Sequence, residues 1–291
     1  MVSGPSCPSA KGSFDLTRFN VSYWRNYERL LTSMQKSGVI AVREHSTAIC
    51  PLRQWLLVVA RRGSDRSPVV ACLQDIIVFH PYDNGHWGFD CMGGNDPKTY
   101  NTTHDNHYLK YLAARFAAFD NVWWAMANEW SDCGCKSLGM ENGANSSHDN
   151  GFAPTWDELF QTLAKADPYG RQTSIHNGPL LYNHSKDYIT HVSLQGHESD
   201  TPLLRAKYGK PTIWDEVCYE GNITSGWGAL SGEEETDRFF WGASLGVHVG
   251  HSETVLRHDV AEDDDQPLWW AKGGTLVGTS PPHIKWFREL W

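Results

Sequence analysis

Two glutamates end apolar runs at points where packing alone gives no reason for a charge. NVWWAMANEW carries Val122, Trp123, Trp124, Ala125, Met126 and Ala127 up to Asn128-Glu129, and PTIWDEVCYEG carries Ile213 and Trp214 up to Asp215-Glu216. A carboxylate is expensive to bury, so one placed where a core segment stops belongs at an edge that solvent or a ligand can reach. Two carboxyls brought together at such an edge divide their labour. Charge coupling keeps one ionised and raises the pKa of the other, which sets a nucleophile or base beside an acid.

Something must bring Glu129 and Glu216 to one edge, and the order of elements supplies it. From residue 75 onward, continuous apolar runs alternate with amphipathic helices. DIIVFHPYD, NVWWAMANEW, QTSIHNG, THVSLQGH, PTIWDEVCYEG and GVHVGHSET read as strands buried on both faces. Between or after them HYLKYLAARFAAF, TWDELFQTLAKAD, PLLRAKYG, SGEEETDRFFWGASLG and PPHIKWFREL read as helices, with capping boxes at Thr155-x-x-Glu158 and Ser231-x-x-Glu234 and a closing Gly209. Six strands of this kind in sequence predict a parallel α/β architecture. All six end in polar or ionisable residues: His80-Pro81-Tyr82-Asp83, Asn128-Glu129, His176-Asn177, Gln195-Gly196-His197, Asp215-Glu216 and His251-x-Glu253. In a (β/α)₈ TIM barrel the carboxyl ends of all the strands form the mouth that binds ligand, whereas a doubly wound sheet needs only those at its switch point. The expectation is a TIM barrel.

Six strands do not close an eight-stranded barrel. Upstream of Asp75 the chain offers one amphipathic helix, TRFNVSYWRNYERLLTSMQKSG, and no strand before it is expected. The first two barrel strands are therefore expected to lie outside this chain, leaving residues 1–291 as a single partial barrel domain. Residues 42–74 interrupt the alternation, since a helix closing at Gly38 should pass into a strand within a few residues. Joining Ala41 to Asp75 restores that step as SGVIADIIVFHPYD. The segment opens with Val, whose codons begin GT, and closes with Gln74, which CAG encodes, so we hypothesise an unspliced intron read in frame. A CAA codon at Gln74 would count against it. The alternative is a helical insertion on the barrel rim, for which RQWLLVVARR is apolar enough.

In this frame the two glutamates fall on the fourth and seventh strands of the full barrel. Two carboxyls about 5 Å apart suit a retaining glycosidase, one as nucleophile and one as acid/base, and an adjacent amide such as Asn128 can bond the sugar 2-hydroxyl. WWAMANEW and PTIWDEVCYEGN resemble the fourth- and seventh-strand motifs of the clan of retaining (β/α)₈ glycoside hydrolases that includes the cellulase-type and β-galactosidase-type families. More narrowly, FDLTRFN, DIIVFHPYD, YLKYLAARFAAFDNVWWAMANEW, SIHN, DEVCYEGNITSGWG, GHSETVL and LWWAKGG together resemble a little-characterised glycosidase group. Its members are expected to carry a β-sandwich domain before the barrel and often a small β-rich domain after it. The resemblance spans nearly all of the chain outside the first dozen residues and 42–74. It implies Glu129 as acid/base with Asn128 beside it, Glu216 as nucleophile, and a poly- or oligosaccharide substrate. The chain departs from the group in lacking the first two strands and both flanking domains.

Other side chains are candidates for the substrate face. His80 and Tyr82 have no packing role in HPYD, and His176 and Asn177 either bond sugar hydroxyls or complete a network on the rim. Tyr219, three residues past Glu216, is placed to donate to that carboxylate. Trp227, Trp269 and Trp270 are candidate stacking platforms for a pyranose face, with a core position the alternative for any of them. His251 and Glu253 are expected to support the site through a salt bridge or hydrogen bond. The run Glu262-Asp263-Asp264-Asp265 reads as a solvated loop.

Composition limits the remaining classes. A formal charge of −9 with scattered Lys and Arg argues against nucleic acid or an anionic membrane as partner, and no apolar run reaches the roughly 18 residues of a membrane span. Asn20, Asn101, Asn145, Asn183 and Asn222 begin N-x-S/T sequons where roughly two would arise by chance, which favours a secreted protein although the N-terminus holds no signal-peptide core. Seven cysteines without paired spacing predict no zinc site, and neither cofactor nor metal is expected. Two rival readings stay open. One is a metal-dependent barrel hydrolase using His80, His176, His197 and His251; the other is an inactive barrel fragment that at most binds carbohydrate.

Overall fold

A computed structural model of the chain describes residues 6–8, 14–36, 75–79, 102–130, 156–177, 180–222, 226–256, 267–268, 275–276 and 278–290. His80, Tyr82, Trp269 and Trp270, the 42–74 segment, Thr155 and the 262–265 acidic run lie outside these residues.

The described chain opens with an antiparallel pair, β1 (Ser6–Pro8) and β2 (Phe14–Phe19), ahead of α1 (Val21–Lys36). This corrects the expectation that no strand precedes the first helix. FDLT alternates apolar and polar residues, a strand pattern that breaks at Arg18 and that the helical spacing further on obscured. The helix accordingly starts at Val21 and not Thr17, with the Asn20 side chain accepting the Tyr23 N–H at 3.3 Å. Trp24, Tyr27, Leu31 and Met34 form its buried face.

The strands predicted from residue 75 onward are present. β3 (Asp75–Phe79), β4 (Trp123–Ala127) and β5 (Thr173–Ser174) form one parallel sheet, and β6 (Val192–Gln195), β7 (Thr212–Glu216) and β8 (His248–Val249) form another. The two sheets meet where Thr190 N–H donates to the Thr173 carbonyl and Ser174 Oγ to the His191 carbonyl, both at 2.8 Å. Within each sheet the parallel strands follow chain order, and helices α2 (Thr102–Phe116), α3 (Trp156–Ala166), α4 (Thr201–Tyr208) and α5 (Gly232–Ser244) connect all the successive strands but β5 and β6. All five residues of β4 are buried, as expected of a strand covered on both faces.

Local chemistry sets the ends of these helices. Ser231 Oγ accepts the Glu234 N–H while the Glu234 carboxylate accepts the Ser231 N–H, the reciprocal cap expected from the sequence. Helix α4 stops at Gly209, whose φ of +62° an L side chain rarely adopts. Beyond β8 comes a small antiparallel sheet that sequence periodicity does not reveal, β9 (Val255–Leu256) between β10 (Pro267–Leu268) and β11 (Thr275–Leu276), followed by α6 (Ser280–Leu290). Strands of two residues are too short to carry an alternation.

The core is aromatic. Trp24, Tyr27, Tyr108, Phe116 and Trp124 fill the first half, with ring contacts such as Trp24–Phe116 at 5.2 Å and Tyr27–Phe116 at 4.6 Å. Trp214 anchors the second half, its ring 4.7 Å from Trp241 and its N–H bonded to Thr201 Oγ1 at 2.8 Å. Several of the surplus tryptophans are therefore structural.

Candidate active site

Strand β4 delivers Asn128 and Glu129, and the pairing continues past its last residue. Asn128 N–H donates to the Phe79 carbonyl, His176 N–H to that of Ala127, and Trp130 N–H to that of His176. Glu129 sits in this stretch with φ +46°, the left-handed region that a glutamate rarely occupies. Such a backbone costs about 1–3 kcal/mol and is kept where the surroundings over-determine it. It lifts the Glu129 side chain out of the pleat that buries its neighbours: Asn128 is buried while Glu129 is partly exposed.

Glu216 arrives on β7 through an irregularity. Val192, Ser193 and Leu194 pair in register with Thr212, Ile213 and Trp214, but Gln195 then pairs with Glu216, so Asp215 is the extra residue of a bulge. The slip sets Glu216 directly beside Gln195. The Gln195 side chain runs the other way, its Nε2 donating to Glu129 Oε1 at 2.7 Å. Both candidate carboxylates thus flank one glutamine at the carboxyl ends of parallel strands.

Each is held differently. Glu216 Oε1 accepts the Tyr219 hydroxyl at 2.7 Å and the Trp227 indole N–H at 3.3 Å. Donors aimed at a carboxylate favour its ionised form. Tyr219 bonds the carboxylate that its spacing predicted, and Trp227, expected as a stacking platform, donates its N–H to the same carboxylate. Its ring edge also lies against Gly196, where an added Cβ would come within 3.7 Å.

Behind the carboxylates lies a buried polar row. His176 Nδ1 is 3.2 Å from Asn128 Oδ1, and its Nε2 is 3.7 Å from Asp215 Oδ2. Asn177, fully buried, spends both ends of its amide on the Gln195 backbone, donating to the carbonyl at 2.7 Å and accepting the N–H at 2.9 Å. His176 and Asn177 are thus joined to one network with Asn128, Asp215 and the Gln195 backbone. Sequence reasoning did not single out Gln195, which bonds Glu129. Its place at the end of an apolar strand was visible, but an amide there carries no chemical signature of its own.

His251 and Glu253 lie apart from this row, in a buried latch with Glu220 and Glu235. Glu220 accepts the Thr279 N–H at 2.5 Å and the Ser280 N–H at 3.1 Å, which places a carboxylate at the N-terminus of α6. Glu253 accepts from Gly278 N–H, His251 Nε2 lies 3.0 Å from Ser280 Oγ, and the His251 ring is 3.9 Å from Glu253 Oε2. Burial would raise the Glu220 pKa, but the donors from Ser280 and Thr279 override it and hold the group below its usual range. Glu235 meets the opposite balance: burial pushes it up to about 8 against the bond from Ser252 N–H, with the Glu220 charge adding to the rise. Burial lowers His251 to about 4, with Glu220 opposing. Packing is tight enough that a Cβ on Gly278 would collide with Glu220 Oε2 and lie 2.6 Å from the Glu253 carboxyl carbon.

Glu220, His251 and Glu253 are also the described residues that could offer three metal ligand atoms within 4.8 Å of one another. That set includes one of the four histidines of the metal-hydrolase reading; His80 lies outside the described residues.

No family model and no curated protein matches the chain. Solved structures do. A protein from Bacteroides vulgatus ATCC 8482, described as a candidate glycoside hydrolase, is 27% identical with a TM-score of 0.67, over 98% of this chain and 46% of that one. A glycoside hydrolase family 5 structure from the same organism is 14% identical with a TM-score of 0.57, over 99% and 58%. A third, a glycoside hydrolase, is 12% identical with a TM-score of 0.56, over 99% and 61%. The chain has an α/β fold of the kind these glycoside hydrolases have, and spans about half the length of the structures it matches.

Proposed function

We propose that the chain carries the catalytic face of a glycoside hydrolase that works by retaining double displacement on a poly- or oligosaccharide. Glu216 is the nucleophile. Its carboxylate, which accepts hydrogen bonds from Tyr219 and Trp227, attacks the anomeric carbon while Glu129 protonates the departing glycosidic oxygen. The C–O bond to the leaving group breaks as the bond to Glu216 forms. Glu129, now a carboxylate, takes a proton from water, which attacks the anomeric carbon and releases Glu216. Asn128, fixed by His176, stands beside the acid/base with an amide that can bond the 2-hydroxyl.

The observation that carries this reading is the pairing of Glu216 with Gln195 in register while the Gln195 amide bonds Glu129. Two strand-end carboxylates on non-adjacent strands are thereby tied to one residue, with different donors around each. The test is nitrophenol release from a panel of aryl glycosides, with Glu216→Gln as control and Glu129→Ala assayed with and without azide. Turnover lost in the first variant, and restored by azide in the second with retention of configuration, supports the assignment. Turnover unaffected by Glu216→Gln, or abolished in the parent chain by exhaustive chelation, would overturn it.

A further inference from the structure

We infer that Gln195 is a positioning residue that fixes the Glu129 side chain and sets its protonation; this rests on the reading of Glu129 as the acid/base. The amide orientation is not arbitrary. An ionised Glu129 offers only acceptors, so in that state the end of Gln195 that meets Glu129 Oε1 at 2.7 Å is the NH₂ group, whereas a protonated Glu129 would turn its O–H to the amide oxygen. The amide oxygen is left at the other end, buried and without a hydrogen-bond partner among the described residues. A buried carbonyl with no donor is destabilising, and an apolar side chain of equal size would remove that cost. Packing therefore does not account for a glutamine here. The backbone argues the same way: the β6–β7 bulge falls at this residue, and Asn177 clamps its N–H and C=O together. Glu129, strained at φ +46°, is held at its carboxyl end by a side chain whose own backbone is locked.

An N–H donated to a carboxylate favours the charged form, so Gln195 holds the Glu129 pKa below the value it would have without the bond. The sign matters for an acid/base residue that must be protonated for the first step and ionised for the second. Gln195 biases it towards the second.

The test uses the full chain with carboxyl-¹³C glutamate, the Glu129 resonance being assigned by its loss in Glu129→Gln. In Gln195→Met, close to glutamine in size, the Glu129 pKa is expected to rise by roughly one unit while Tm holds or increases. An unmoved Glu129 titration in a folded Gln195→Met chain overturns the inference, as does an unmoved alkaline limb of the pH–rate profile where turnover is measurable. Should Gln195→Met lack a melting transition, Gln195→Asn, which withdraws the donor by one methylene, carries the same comparison. The titration needs no substrate. A chain that hydrolyses nothing and still shows the shift sinks the glycosidase reading while leaving Gln195's hold on Glu129 intact.

Discussion

Glu216 and Glu220 are four residues apart on one strand and its extension, yet they are held in opposite ways. Glu216 is partly exposed, and its donors come from the side chains of Tyr219 and Trp227. Glu220 is 5% exposed, and it accepts the backbone N–H groups of Thr279 and Ser280 together with the Thr279 hydroxyl at 3.2 Å. The Glu216 donors lie on the stretch that follows its own strand, at residues 219 and 227, whereas Glu220 is spent on the start of α6, some 60 positions away. The same residue type thus stands partly exposed at one strand end and buried as a brace for α6, and the difference lies in where the donors come from.

The comparison breaks most sharply under paired substitution. Glu216→Gln is expected to lower turnover on the order of 10⁴-fold or more with Tm nearly unchanged, since removing a covalent nucleophile costs far more rate than packing. Glu220→Gln is expected to do the reverse. Its NH₂ group would face one of the two donors at the start of α6, leaving a buried N–H unpaired at a cost of about 1–3 kcal/mol or more. Thermal melts of both variants beside aryl-glycoside kinetics measure this. A large Tm loss in Glu216→Gln, or none in Glu220→Gln, would erase the distinction.

That distinction was only half legible in the sequence. The strand order, the capping box at Ser231, the Gly209 stop and the Glu129–Glu216 pair follow from apolar runs and their polar ends, because a strand buried on both faces has one place to put a charge. Tyr219's bond to Glu216 was legible too, from a spacing of three beyond the strand. The β1–β2 pair was hidden by its overlap with a helical pattern. Gln195 and Glu220 were invisible for another reason: their partners are a bulge in β7 and the backbone of residues 279–280, some 60 positions away, and long-range backbone contacts leave no local pattern. His251 and Glu253, expected from sequence to act through a salt bridge or hydrogen bond, make such contacts with the residues at the start of α6.

A smaller effect probes the latch through pH. Glu235, 0% exposed, has its folded pKa raised from 4.5 to about 8, so the folded state retains a proton that the unfolded chain releases. Stability from this group is fully present below pH 4.5 and is lost as pH rises through 8. His251 runs the opposite way: lowered from 6.5 to about 4, it contributes above pH 6.5, and that contribution is lost as pH falls through 4. Glu235→Gln mimics the protonated acid and keeps an oxygen for the Ser252 N–H. Its Tm is expected to match the parent near pH 4.5 and exceed it by roughly 4 °C or more at pH 8, given that about 1 kcal/mol moves Tm by roughly 2–4 °C in large domains. Parallel melting curves at both pH values would show no pH-dependent gap if Glu235 is ionised in the folded chain.

The smallest effect sharpens the mouth. Tyr219→Phe keeps the buried ring, 2% exposed, and removes the hydroxyl that meets Glu216 at 2.7 Å, while the Trp227 N–H stays. Glu216 must be ionised to attack, and losing the Tyr219 donor raises its pKa. The acidic limb of the pH–kcat/KM profile is therefore expected to move to higher pH, with kcat/KM at the optimum falling roughly 10-fold, the scale of one hydrogen bond to a charged group of about 1.5 kcal/mol. The direction separates the two carboxylates: Tyr219→Phe moves the acidic limb, governed by the nucleophile, and Gln195→Met moves the alkaline limb, governed by the acid/base. Both variants moving the same limb would mean that Glu129 and Glu216 titrate as one coupled pair, and the assignment of separate roles would have to be made on covalent trapping alone.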